Sequence, residues 1–201
     1  MKRALLAKHL LPLATFERRR PELQAEAQAH REDRAVQIGG SATLSFENEI
    51  TVRFRLQEIL RHEAMSDDAA VQAQIDVYAT LIPDGANFKA TLRLDFASAR
   101  ERALKLQQLR GIENYVWMQI ERLSRVYAIA ERNMDHADAQ RDEALQYVRF
   151  ELGETGVQAL RQGRALSFGI DHPAYSARLM VGENVRQALL TDLHQRERVR
   201  P

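Results

Sequence analysis

Phe88-Lys89-Ala90-Thr91-Leu92-Arg93-Leu94-Asp95-Phe96 alternates without a break between apolar and polar side chains. Phe88, Ala90, Leu92, Leu94 and Phe96 fall on one side, and Lys89, Thr91, Arg93 and Asp95 on the other. A period of two is the signature of a β-strand. A polar second face predicts antiparallel pairing, with one side in the core and the other in water. The fold class turns on this segment, because a strand of this kind needs antiparallel neighbours and an apolar layer beneath it.

The flanking sequence supplies both. Upstream, Arg34–Gly39 and Ala42–Glu47 read as a hairpin around Gly39-Gly40-Ser41, with Val36 and Ile38 facing Leu44 and Phe46. Asn48 is a good N-cap for a helix to Ala64, whose Val52, Leu56, Ile59 and Leu60 form one stripe. Ser66 caps a second helix carrying Val71, Ile75, Tyr78 and Ile82, and Pro83-Asp84-Gly85 ends it. Downstream, Ser98 and Glu101 form a capping box for a helix that stops at Gly111. Tyr115–Glu121 and Arg125–Glu131 read as paired strands around Arg122-Leu123-Ser124, with Trp117 packed in the core or on a sheet face. Ala144–Leu152 and Ala165–Asp171 are further strands on either side of a short helix, Glu154–Gln162, and Asn184–His194 is a closing helix.

At the start of the chain, the first residues read as a short amphipathic helix. Pro21 suits a first helical turn, which predicts a break near Arg20 and a polar helix from Pro21 to Glu32. The resulting architecture is α+β: a single domain with a largely antiparallel sheet and helices covering one face. It divides into an N-terminal helical segment (1–33), the α+β domain (34–195) and a frayed basic tail (196–201).

Composition narrows the chemistry. The 201 residues are 45% hydrophobic and 28% charged, and 29 basic against 28 acidic residues leave a net charge of +1. No global field draws this chain to nucleic acid, and none is expected as a partner. The absence of cysteine excludes disulfides, thiolate metal sites and cysteine nucleophiles within it. The opening MKRALLAKHLLPLATFERRRP is interrupted by Lys8 and His9 and reads as no signal peptide. No stretch is apolar for long enough to span a bilayer. A cytoplasmic location is the expectation.

Four segments, LSFENEITVRFRLQEILRHE, LIPDGANFKATLRLDF, LRGIENYVW and GIDHPAY, occur in this order. Together they resemble the bacterial family known as domain of unknown function 3501. The resemblance implies a single small bacterial domain with no assigned activity. It also implies genomic neighbours similar to rubrerythrins and iron–sulfur reductases, hence a redox protein as partner. Where the family pattern leads one to expect a Ser-Ala-Val-His-Phe-like stretch, this chain has Glu143-Ala144-Leu145-Gln146-Tyr147, without the histidine.

Two places stand out as candidate sites. In Gly169–Ser176, the residue before Pro173 is pushed to an extended conformation, so Asp171 and His172 point to opposite sides, with Tyr175 close behind. His172 there is a candidate base or ligand; the plainer reading is a turn capped by Asp171. Along the helix after the first hairpin, Glu47 and Asn48 sit at its N-terminus, and Gln57, Glu58 and Arg61 on its polar side. Glu58 and His62, four apart, share a face but make only half of a metal site. Asp135, His136 and Asp138 form an acidic connection of the kind that holds metal weakly. Glu-x-x-His, His-Glu-x-x-His, phosphate-loop and nucleophile-elbow patterns are absent. The leading expectation is a non-catalytic binding or accessory protein, without cofactor or metal, beside a redox system. The alternative is a metal-assisted or acid–base enzyme built on Asp171, His172, Tyr175 and Glu58. A homodimer is the base-rate oligomer.

Overall fold

In the computed structural model, which describes residues 2–131 and 144–193, the strand that decides the fold is β3 (Asn87–Leu94). It lies at the centre of a five-stranded antiparallel sheet. On one side it pairs with β2 (Ala42–Phe46), itself hairpinned to β1 (Ala35–Ile38); on the other it pairs with β7 (Leu145–Glu151), followed by β6 (Ile129–Ala130). A second antiparallel sheet runs β5 (Val126–Tyr127), β4 (Val116–Ile120), β8 (Leu166–His172) and β9 (Tyr175–Met180). The α+β class stands, and the strand material divides between two sheets.

The apolar faces of the sheets meet. Phe46 and Phe168 approach to 5.0 Å between ring centroids, and Phe150 stands edge-on to Phe168 at 5.6 Å. Phe46, Phe88, Phe150 and Phe168 are all fully buried. Burying such a side chain is worth about 1.5–3 kcal/mol, so this aromatic cluster anchors the sandwich. The ends are closed by α6 (Gly153–Arg161) and α7 (Glu183–Leu190), which send Val157, Leu160 and Leu189 into the same core. Arg34, buried at the start of β1, donates to Asp192 and to the Thr191 hydroxyl just beyond α7.

The helical layer lies on the other side of the five-stranded sheet. Helices α3 (Glu49–His62) and α4 (Asp68–Tyr78) carry Val52, Leu56, Leu60, Ile75 and Tyr78 into a second apolar cluster, joined by Leu6 of α1 (Lys2–His9) and by Tyr147 of β7. Against α3 rests α2 (Leu13–Glu32), through Phe16 and Ala27 on Phe54. The expected break at Arg20 does not occur: α2 runs through Pro21. Proline forfeits one backbone bond in a helix interior, but this helix is tied to α3 on both sides of it. Phe16 is buried against Phe54 and Arg20 reaches Glu58 before the proline, and Ala27 packs in the same cluster after it.

Other boundaries shift for local reasons. Asp67, not Ser66, caps α4 by accepting the Ala70 amide. Ser98 caps α5 (Ala99–Gln108) through the Glu101 amide, while the Glu101 carboxylate accepts the Ala97 amide one residue further back than a capping box requires. The stretch expected as one strand, Arg125–Glu131, is shared: β5 pairs with β4 and β6 with β7, one in each sheet. Strand β9 follows β8 directly as a hairpin partner, a strand that local pattern does not predict. The second face of β3, expected to be wet, is covered over part of its length: Lys89 and Thr91 are buried under the helical layer, while Arg93 is exposed as expected. The closing helix ends at Leu190; residues 194–201, including the tail, lie outside the described residues.

Gly169 of β8 leaves room for the Trp117 indole, which lies flat against it: a Cβ there would stand 2.2 Å from Trp117 Cζ2. A Gly169→Ala substitution is expected to cost about 1–3 kcal/mol by overpacking. Urea unfolding followed by the emission of Trp117, the single tryptophan, reads this directly; an unchanged midpoint would contradict the packing described.

Candidate functional site

Glu47 follows β2 and turns its carboxylate beneath α3. It is 2% exposed and accepts three hydrogen bonds: the Thr51 hydroxyl at 2.6 Å, Arg55 Nη2 at 2.6 Å and the Thr91 hydroxyl at 2.7 Å. Asn48 is the N-cap that starts α3 above it, accepting the Thr51 amide at 2.9 Å while the Thr51 hydroxyl accepts the Asn48 amide at 3.1 Å. The Asn48 side-chain amide also donates to His30 Nδ1 at 3.1 Å, tying in α2. Arg55 extends the network over the Tyr147 ring, 5.7 Å from its centroid. Burial by itself would push the Glu47 carboxyl up; the Arg55 charge and the two hydroxyls more than offset this and hold it below its ordinary value.

Gln57, Glu58 and Arg61 lie further along α3 and are occupied in the same way. Gln57 accepts the Leu11 amide at 2.7 Å and donates to the Leu11 carbonyl at 3.2 Å, clamping the connection between α1 and α2. Glu58 takes a two-pronged bond from Arg20, at 2.7 and 3.0 Å, and a third from Arg61 at 3.2 Å. The Arg20 fork holds the Glu58 carboxyl below its usual range, so Glu58 is a carboxylate in a cation clamp and has no proton to give at neutral pH. His62 is exposed at the last residue of α3.

The Gly169–Ser176 stretch is the hairpin between β8 and β9, with Pro173 and Ala174 at its tip and His172 paired to Tyr175. Asp171 is exposed and accepts Arg125 Nη1 at 2.5 Å. His172 is buried; its Nδ1 accepts the Ala174 amide at 3.1 Å, and its ring stands edge-on to Tyr115 at 4.9 Å. The Tyr175 hydroxyl donates to the Ile38 carbonyl and accepts the Ser41 amide at 3.1 Å, binding the β8–β9 hairpin to the β1–β2 turn. Gly39 is required beneath it: its φ is +69°, and a Cβ would come 2.6 Å from the Tyr175 hydroxyl.

The candidates therefore form three separate groups that share no hydrogen-bond partner. Asp171, His172 and Tyr175 belong to a hairpin that joins the sheets. Glu47 and Asn48 belong to the seam between sheet and helices, and Gln57, Glu58 and Arg61 to the contact of α3 with α2. Among the described residues, no three His, Asp or Glu side chains are grouped to hold a metal ion; Asp135, His136 and Asp138 lie outside them. Sequence reasoning missed Arg55, Thr91 and Arg20, the residues that engage these acids. Arg55 lies two helical turns beyond Asn48 and so shares its face, which was the one available signal.

A groove of about 590 Å³ lies between α1, α2 and α3 and reaches Gln57. Phe16, Leu23, Ile50 and Phe54 line it, together with Lys8, Arg53, Glu26 and the Gln57 clamp.

Because the folded Glu47 carboxyl is held below the ordinary value of 4.5, its contribution is full at neutral pH and is lost as pH falls through the folded value. A Glu47→Gln variant is expected to be about 3 kcal/mol less stable at pH 7, with the gap to the parent closing towards acid. Urea midpoints across pH 3–7 test this; two parallel curves would show that the carboxylate charge contributes nothing.

No curated protein matches the sequence. A crystal structure of a novel protein of unknown function from Burkholderia pseudomallei K96243 is similar to this one, with a TM-score of 0.86 and 36% identity. The likeness covers 93% of this chain and 97% of that one, so the two-sheet architecture and its helical layer are common to both. The sequence pattern of the family described as "Protein of unknown function (DUF3501)" matches residues 4–193. Over nearly its whole length, then, the chain belongs to the DUF3501 family.

Proposed function

We propose that this is a non-catalytic binding protein, acting in the bacterial cytoplasm through the groove between α1, α2 and α3. One observation carries the reading. Asp171, Tyr175 and Glu58, among the groups an acid–base or metal-assisted mechanism would need, are each bonded to a distant part of the fold, and His172 is buried with its Nδ1 accepting the Ala174 amide and its ring edge-on to Tyr115. A general base must reach its substrate's proton with a free lone pair in a shared pocket, whereas Glu58 stands on α3, apart from the β8–β9 hairpin that carries the other three. The groove, by contrast, combines apolar side chains with charges of both signs, which suits the side of a partner protein. The family resemblance favours a redox protein in that role, with this chain as the cysteine-free accessory. No described helix is long and apolar enough to cross a membrane.

The test is crosslinking and capture of the tagged full chain at native expression, alongside Leu23→Asp in the groove. A specific protein recovered with the parent and lost with the variant is expected. Recovery of chaperones alone, or a partner indifferent to Leu23→Asp, would overturn the assignment. Elemental analysis of the purified protein is expected to find less than about a tenth of an equivalent of any transition metal per chain.

A further inference from the structure

The outer face of the β5–β4–β8–β9 sheet has an ordered composition that the fold itself does not use. Register sets Arg178, Gly169, Trp117 and Tyr127 side by side across the four strands, from the β9 edge to the β5 edge. The next row begins with Met180 and continues through Ser167 and Gln119. Trp117 is buried although it points outward, because Arg125 lies over its ring at 3.9 Å and Asp171 holds the guanidinium in place. Its indole N–H is buried with no acceptor. Tyr127 is 50% exposed and Met180 71%, the most exposed large apolar side chain among the described residues. Arg178 is exposed, and its side chain makes no ion pair or hydrogen bond with the described residues. Helices α6 and α7 meet this sheet from its inner side, through the core shared with Ile120 and Leu166.

We infer that this face is the interface of a homodimer, its occupant a second copy of this chain in which Arg178 of each copy lies over Tyr127 of the other. The face has unlike edges, a cation with a methionine on β9 and an exposed phenol ring on β5, separated by a centre in which Trp117 lies against Gly169 beneath the Arg125–Asp171 pair. Such a face is complementary to itself when turned over. A twofold axis running along the strands between β4 and β8 brings each β9 edge against the opposite β5 edge, as an isologous interface requires. Two cation–π contacts form at once, and Met180 comes beside the same tyrosine, a pairing that sulfur and aromatic rings favour. The remaining charges cancel within each copy, since Arg125 is matched by Asp171. An acidic partner would leave Tyr127 and Met180 unanswered, whereas the chain's own edge answers both.

The inference is independent of the groove assignment, which concerns the opposite sheet. Sedimentation of the full chain over a wide concentration range is expected to show a reversible dimer. Arg178→Glu and Tyr127→Lys are each expected to raise its dissociation constant at least about tenfold. Both sites are at the surface, and thermal unfolding verifies that the variants fold; Met180→Asp provides a second disruption, and Leu104→Asp on α5 a control that leaves the dimer intact. Mixing the Arg178→Glu chain with the Tyr127→Lys chain restores one native contact and creates a Glu–Lys pair in place of the other, so the mixture is expected to dimerise where neither component does. A monomer at every concentration, a dimer indifferent to Arg178→Glu and Met180→Asp, or a mixture that stays monomeric would overturn the proposal.

Discussion

A carboxylate shut off from water joins the two halves of this molecule. Glu47 stands where the first hairpin gives way to α3, and its bonds reach the helix through Thr51 and Arg55 and the sheet through Thr91. Removing such a charge from water is costly unless it is paired with a cation and hydrogen-bonded, and here the Arg55 guanidinium and two hydroxyls supply both. The geometry leaves little freedom for how α3 lies on the sheet. Displacing the helix would strand a buried anion, while the apolar stripe alone would tolerate sliding. The second cluster, Val52 through Ile82, supplies adhesion between the helices; the ion pair supplies register.

The two sheets differ in how their outer faces are treated. The outer face of the five-stranded sheet is strongly polar yet largely covered around Lys89 and Thr91: Lys89 donates to the Thr80 carbonyl and lies 3.6 Å from Glu131, which also accepts Arg149 at 2.8 Å. Charges meant for water in an ordinary antiparallel sheet are matched here against each other and against helix backbone. The four-stranded sheet does the reverse. Its outer face offers a tryptophan, a tyrosine and a methionine, and only Trp117 is shielded, by an arginine laid across it. A cation–π contact at 3.9 Å lets a surface strand carry a large aromatic without leaving the ring wet.

Much of the architecture could be read from local pattern. The alternation through Phe88–Phe96, the Gly39-Gly40 turn, the Asn48 cap and the stripes on the two helices each name a single element and each appears. Alternation reports that the two sides of a strand differ; it does not report what covers each side, so Lys89 and Thr91 were assigned to solvent. Pro21 carries a local penalty that predicts a break, and the contacts that override it, the buried Phe16 and the Arg20–Glu58 fork, are tertiary and leave no local pattern. The β9 strand was missed because its outward residues, Ser176, Arg178 and Met180, mix polar and apolar types and blur the period. For the candidate residues, their types were legible and their partners were not. Those partners sit 38 residues away for Glu58, 44 for Glu47 and 137 for Tyr175, separations over which a single sequence holds no spacing rule.

The chain's passage between its sheets is abrupt. Val126 and Tyr127 belong to one sheet, Ile129 and Ala130 to the other, and Ala128 between them donates its amide to the Val116 carbonyl at 2.8 Å. Five consecutive residues thus make edge strands for both layers, and neither layer can gain its last strand without drawing the other into place. The sandwich is stitched by its own backbone at this point. Pulling the layers apart would therefore cost each of them an edge strand, a tie that the apolar contact between the sheets does not by itself provide.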